Sequence, residues 1–105
     1  MVIVETKVFT RQIEELLTDE AYKDLQTELV KRPEVGVLIP GGGGLRKMRW
    51  GYQGQGKRGG VRVIYYWAAK QKRILMLFIY PKNVRDNLSP AQLRALRSIV
   101  EAEYQ

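Results

Sequence analysis

The sequence predicts an α+β fold: an antiparallel β-sheet with an N-terminal helical hairpin and a C-terminal helix, in the order β-α-α-β-β-β-α. Three observations predict it. Apolar residues recur at helical spacing through the first third of the chain. Three β-rich segments then follow one another from Leu45 to Tyr80 with only turns between them. A Ser-Pro-Ala-Gln helix start at Ser89 opens the last part of the chain. At 105 residues, one domain over residues 1–105 with a modest core is expected, without repeats or a linker.

Each element has its own warrant. Val2 to Val4 is a short β-prone segment suited to a sheet edge. Thr10 to Leu17 reads as helix, with Phe9, Ile13, Leu16 and Leu17 on one stripe and Glu14 and Glu15 outward. Thr18 or Asp19 caps a second helix over Glu20 to Lys31, whose buried stripe is Tyr22, Leu25 and Leu29 and which Pro33 closes. Val35 to Gly44, ending in Pro40 and four glycines, reads as loop. Leu45 to Trp50 is a strand, Gly51 to Gly60 a turn or long loop, and Val61 to Trp67 a strand with Arg62, Ile64 and Tyr66 on one face. After a turn over Ala68 to Arg73, Ile74 to Tyr80 is apolar on both faces, as a central strand is. Ser89 then caps the last helix, Pro90 fits its first turn, Gln92 completes a capping box, and Leu93, Leu96 and Val100 form its stripe.

Composition excludes several chemistries. There is no cysteine and no histidine, which removes disulfides, thiol catalysis, cysteine-built zinc sites, the commonest general base and the commonest metal ligand. No metal or other cofactor is expected. The start, MVIVETKVF, turns charged too soon for a signal peptide, and no window approaches the ~18 apolar residues of a membrane span. A cytoplasmic location is the expectation.

Charge is informative through its distribution. Residues 1–34 carry net −3, residues 35–85 net +11 without one acid, and residues 86–105 net −1. Spread evenly, the acid-free block would hold about 5 of the chain's carboxylates. Their absence points to a surface for a polyanion. A solvated basic sheet is the plain alternative.

Two nucleotide motifs nearly fit GYQGQGKRGGVRVIYY, Gly51 to Tyr66. Gly51 to Lys57 spells a phosphate-loop pattern and Gly54 to Gly59 a dinucleotide pattern. The first requires Ser or Thr after the lysine, where this chain has Arg58. Both require a following helix, and VRVIYYW is β-branched and aromatic. The glycines suit instead a loop that bends closely around a sugar-phosphate chain, tipped with Lys57 and Arg58. A plain turn explains them singly. It does not explain Arg62, which sits inside the next strand between Val61 and Val63 and needs a partner for its guanidinium. Only a helix carboxylate such as Glu14 or Glu28 could supply one from within the chain.

The run GGLRKMRW…GKRGGVRVIYYW…LFIYPKN resembles the RelE/HigB superfamily of bacterial toxins from toxin–antitoxin modules, closest to its HigB-like branch, over nearly the whole chain. The resemblance implies a RelE-like fold and a ribosome-dependent endoribonuclease that cuts messenger RNA in the A site. It also implies a cognate antitoxin protein, and the ribosome and mRNA, as partners. It places Arg62 at the scissile phosphate, Lys57 and Arg58 in the basic loop before it, and Lys82 at a basic catalytic position. The family's lysine pair aligns best, by distance from Leu45, with Gln53 and Gln55, so the cations stand a few residues along. The family's C-terminal catalytic tyrosine or histidine has no transferable match, since only Tyr104 occurs there.

The chemistry follows. RNA carries its own nucleophile, the 2′-OH. Arg62 holds two phosphate oxygens in its planar fork. Arg58 or Lys82 adds charge and a proton for the leaving oxygen, and Lys57, crowded by cations, is the expected base. Arg46, Lys47, Arg49, Tyr52, Gln55, Tyr80 and Arg85 are the expected RNA-binding residues. Trp50, Tyr65, Tyr66 and Trp67 are expected to pack. The competing readings are a ParE-like gyrase inhibitor on the same scaffold, a non-catalytic basic RNA-binding module, and a toxin that has lost its activity.

Overall fold

The computed structural model describes residues 1–51, 60–83 and 87–104. The chain runs β1 (Val2–Glu5), α1 (Lys7–Leu16), α2 (Asp19–Lys31), β2 (Val37–Leu38), β3 (Leu45–Trp50), β4 (Val61–Ala68), β5 (Arg73–Pro81) and α3 (Pro90–Tyr104). One sheet holds all five strands in the order β1-β5-β4-β3-β2. The predicted meander is β3-β4-β5, antiparallel throughout. Two features differ from the expectation. β1 lies parallel to β5, which makes the sheet mixed. β5 is apolar on both faces, and β1 covers the outer edge that the meander leaves beside it. β2 is a second addition, a two-residue strand within the expected loop, held antiparallel to β3.

Strand alternation divides the core between the two faces of the sheet. Val61, Val63 and Tyr65 of β4 pack with Phe9, Ile13, Leu25 and Leu29 of the helical hairpin. Ile64 and the half-buried Tyr66 face the other way, with Leu45, Leu75, Leu77, Leu96 and Val100 under α3. The β4–β5 register shifts at Ile64/Tyr65, opposite Phe78 and Met76 respectively, so Leu77 is the extra residue of a bulge. Leu77 and Phe78 both fall in the α3-side cluster as a result.

Capping explains the helix ends. The Thr6 hydroxyl accepts from the Phe9 N–H and donates to the Leu77 carbonyl, so α1 starts a turn earlier than the stripe alone predicts. Thr18 caps α2 through the Ala21 N–H. At α3 the capping box is complete: Ser89 Oγ accepts from the Gln92 N–H at 3.1 Å, and Gln92 Oε1 accepts from the Ser89 N–H at 3.0 Å. The glycine run before β3 serves α3 too. Gly44 has φ +105°, and a Cβ there would stand 2.7 Å from the Tyr66 ring. Tyr66 in turn stacks on Tyr104 at the far end of α3.

Candidate nucleic-acid interface

The site grows from strand register. Met48 and Trp50 of β3 pack toward the helical hairpin, so Lys47 and Arg49 project from the opposite face. On β4 the same alternation puts Arg62 on that face, between the inward Val61 and Val63. Arg49 lies directly across from Arg62, and Arg62 directly across from Tyr80 of β5. Three strands therefore present an Arg-Arg-Tyr row. Lys82 follows Tyr80 by two residues, and its backbone N–H donates to the Gly60 carbonyl at 3.1 Å, which closes the sheet end next to Arg62.

Two like charges directly opposite on one sheet face repel. The ion pairs among the described residues are Arg32–Glu28, Arg46–Glu34 and Arg97–Glu101, so no described carboxylate answers Lys47, Arg49, Arg62 or Lys82. Glu28 is thus committed to Arg32 and does not serve Arg62. The Nε of Arg62 is buried and has no hydrogen-bond partner. Leaving a buried donor unpaired costs about 1–3 kcal/mol. Such a group needs a reason, and keeping the guanidinium for an anion is one. Lys47 is held differently: its Nζ donates to Asn87 Oδ1 at 3.1 Å, tying the approach to α3 onto this face. Asn87 was not legible as a site residue, because a contact across forty positions has no local signal.

The other expected residues divide clearly. Arg46 points to the hairpin face, apart from the row. Its Nη1 donates to the carbonyls of Glu34 and Gly36, and it ion-pairs with Glu34, so it clamps the turn after α2. The Tyr65 hydroxyl clamps the same turn, donating to the Pro33 carbonyl at 2.7 Å and accepting from the Gly36 N–H at 2.8 Å. Its burial pushes the Tyr65 pKa up, and the Gly36 hydrogen bond offsets part of that. Tyr80, expected among the RNA-binding residues, is buried beside Arg62 on the same face, its ring tilted against Phe78 with centroids 5.7 Å apart. Trp50 packs as expected and donates from Nε1 to the Ala21 carbonyl. Tyr52, Gln55, Lys57, Arg58 and Arg85 lie outside the described residues.

The arrangement can grip a phosphate: adjacent guanidiniums that no described carboxylate pairs with. Comparison with known proteins agrees with the architecture. Superposed on a solved structure of an arginine double mutant of E. coli toxin RelE in the free state, the chain gives a TM-score of 0.60 at 11% identity. That match covers 93% of this chain and 94% of the other. The family model described as the RelE toxin of the RelE/RelB toxin–antitoxin system matches residues 1–104. The chain belongs to the RelE toxin family, the toxin half of a toxin–antitoxin system.

Proposed function

We propose that this toxin is a ribosome-dependent endoribonuclease that cleaves messenger RNA in the A site. The observation that carries the reading is the Arg49–Arg62 pair with its unsatisfied Nε. Arg62 grips the scissile phosphate and neutralises the charge that builds on phosphorus. Arg49 and Lys82 supply further positive charge, and Lys82 or Arg58 is the proposed proton donor to the leaving 5′-oxygen. Lys57 is the proposed base toward the 2′-OH, with Arg58 beside it. The reaction is internal attack by the 2′-OH on the adjacent phosphate, with the cations in the charge-neutralising role and no metal ion required. A site relying on charge more than on a strong base depends on an external scaffold to orient the RNA, which is the part assigned to the ribosome.

The test is 5′-end mapping of messenger in a reconstituted bacterial translation reaction, with and without ribosomes. New ends at codon spacing are expected only with ribosomes, and Arg62→Ala is expected to abolish them. Cleavage that persists undiminished in Arg62→Ala sinks the assignment of the phosphate grip. Translation running on with no new ends sinks the nuclease reading itself. Arg62→Lys separates catalysis from binding: a catalytic fork loses most cleavage, whereas a simple RNA-binding surface keeps its affinity.

A further inference from the structure

Asn87 borders the candidate site without a part in the phosphate grip. Its place is fixed from two directions. Leu88, next in the chain, packs into the core under α3, and Ser89 then closes the capping box. Across the site face, the Asn87 Oδ1 accepts from Lys47 Nζ at 3.1 Å. Lys47 lies opposite Ile64, two residues along β4 from Arg62. Lys47 and Arg62 are therefore diagonal neighbours on one face, about 7–8 Å apart. The bond decides which way the amide turns. An ammonium only donates, so the asparagine offers Lys47 its oxygen and turns its Nδ2 away. Asn87 is exposed, and no described residue accepts from that Nδ2. Lys47 keeps further N–H groups, and no described carboxylate pairs with it. Together the two side chains present mainly donors, where a lone asparagine presents a donor and an acceptor.

We propose that Lys47 and Asn87 form a base-reading element that selects guanine over adenine in the RNA strand beside the gripped phosphate. Asn87 is its specificity-determining residue, and Lys47 is the positioning residue that locks the amide. The inference rests on the RNA reading of the site for the identity of the ligand and on the Lys47–Asn87 bond for the selection. The chemistry is a match of edges. Unstacked bases of a single strand expose their Hoogsteen edges to side chains. Guanine offers two acceptors there, O6 and N7, whereas adenine sets an N6 donor beside its N7 acceptor. A freely turning asparagine suits adenine, giving one hydrogen bond and taking the other. Locked by Lys47, it meets the adenine N6 group donor against donor, and both are left unpaired. Cytosine is disfavoured in the same way through its N4 donor. The arginine row cannot make this choice, because contacts to phosphate position a strand and carry no sequence information. Grip and choice thus fall to neighbouring groups on one face, and the choosing group stands on the rigid approach to α3.

The test is fluorescence anisotropy of the purified toxin with short 2′-O-methylated oligouridines, which cannot be cut. Each carries a single guanosine, adenosine or 7-deazaguanosine. Wild type is expected to bind the guanosine strand about tenfold more tightly than the adenosine strand. Most of that advantage should vanish with 7-deazaguanosine, which lacks the N7 acceptor. Asn87→Ala is expected to bring the two purines within about twofold of each other. Lys47→Met keeps the stem and frees the amide, so it should weaken binding to both strands and turn the preference toward adenosine. A merely structural tie would lower both affinities and leave their ratio alone. Thermal unfolding checks that each variant folds. A wild type that binds the two purines alike overturns the proposal. So does a guanosine preference that survives Asn87→Ala or Lys47→Met. Codon-resolved 5′-end mapping in the translation reaction separates this inference from the cleavage reading. New ends without a guanosine preference in either assay keep the nuclease and remove the base reader. A guanosine preference in binding without new ends removes the nuclease and keeps the base reader as part of an RNA-binding surface.

Discussion

Arg62 carries a cost to the fold that the proposed phosphate grip explains. Its flanks, Val61 and Val63, are buried, and its own Nε is buried without a partner. A residue kept for a ligand should be one the fold is better without. Arg62→Met, which keeps the stem and removes the orphan donor, is expected to raise stability by about 1 kcal/mol while removing messenger cleavage. Urea titration and 5′-end mapping on one preparation check both halves; a loss of stability shows that the guanidinium supports the fold. The opposite design occurs at Glu5, whose carboxylate accepts from the Tyr22 and Thr10 hydroxyls and so ties β1 to both N-terminal helices. Burial, helped by the bond to Glu5, pushes the Tyr22 pKa far above the usual tyrosine range. The folded state holds that proton more tightly than the unfolded chain does. The stabilisation is therefore complete below pH ~10, the unfolded value, and declines as pH rises above it. Tyr22→Phe is expected to cost about 1–2 kcal/mol at neutral pH by stripping a donor from Glu5. It should also flatten the alkaline loss. Urea midpoints measured from neutral to strongly alkaline pH test both, and an alkaline limb as steep as wild type's refutes the assignment to Tyr22.

The elements were legible in proportion to how local their causes are. The Ser89 box lies within four residues, and the sequence predicted it atom for atom. Ser89→Ala is expected to cost about 1 kcal/mol of global stability, and Gln92→Ala less, because it removes only the return bond. Thermal unfolding of the two variants gives the ranking, and equal losses count against the box. The start of α1 was read a turn late, because Lys7 and Val8 are exposed and the Thr6 cap is locked by its bonds to β5, far off in sequence. β2 had only a weak signal: Val37, Leu38 and Ile39 are apolar, but the run is short, lies between Gly36 and Pro40, and leaves Val37 and Leu38 exposed. The parallel pairing of β1 is equally non-local. The site follows the same rule. Register and alternation were enough to put Arg62 on a face of its own strand, and the acid-free block flagged its lack of partners. That Arg46 turns away to two backbone carbonyls depends on the turn after α2, which the strand sequence cannot report.

At the scale of the molecule, charge is segregated by element. The helices carry acids, while residues 35–85 carry eleven cations and none. Burial of the sheet through two cores fixes which of those cations share a face, so the fold converts a sequence bias into a directed field. This has a measurable consequence that does not depend on catalysis. Each phosphate contact releases condensed counterions, so the logarithm of affinity falls with the logarithm of salt at a slope of about −0.7 per contact on single-stranded RNA. Arg49, exposed on the site face, should contribute one such contact, and Arg49→Gln is expected to make the slope shallower by about 0.7, equally on unrelated RNA sequences. Arg46→Gln should leave the slope alone and lower stability instead, since its charge is spent on Glu34 and two carbonyls. Arg62→Lys should keep the slope and lose the chemistry. Fluorescence anisotropy with short single-stranded RNAs over a salt series distinguishes these three behaviours. If all three variants shift the slope alike, the basic block acts as a diffuse cloud, and strand register has no part in how the protein meets RNA.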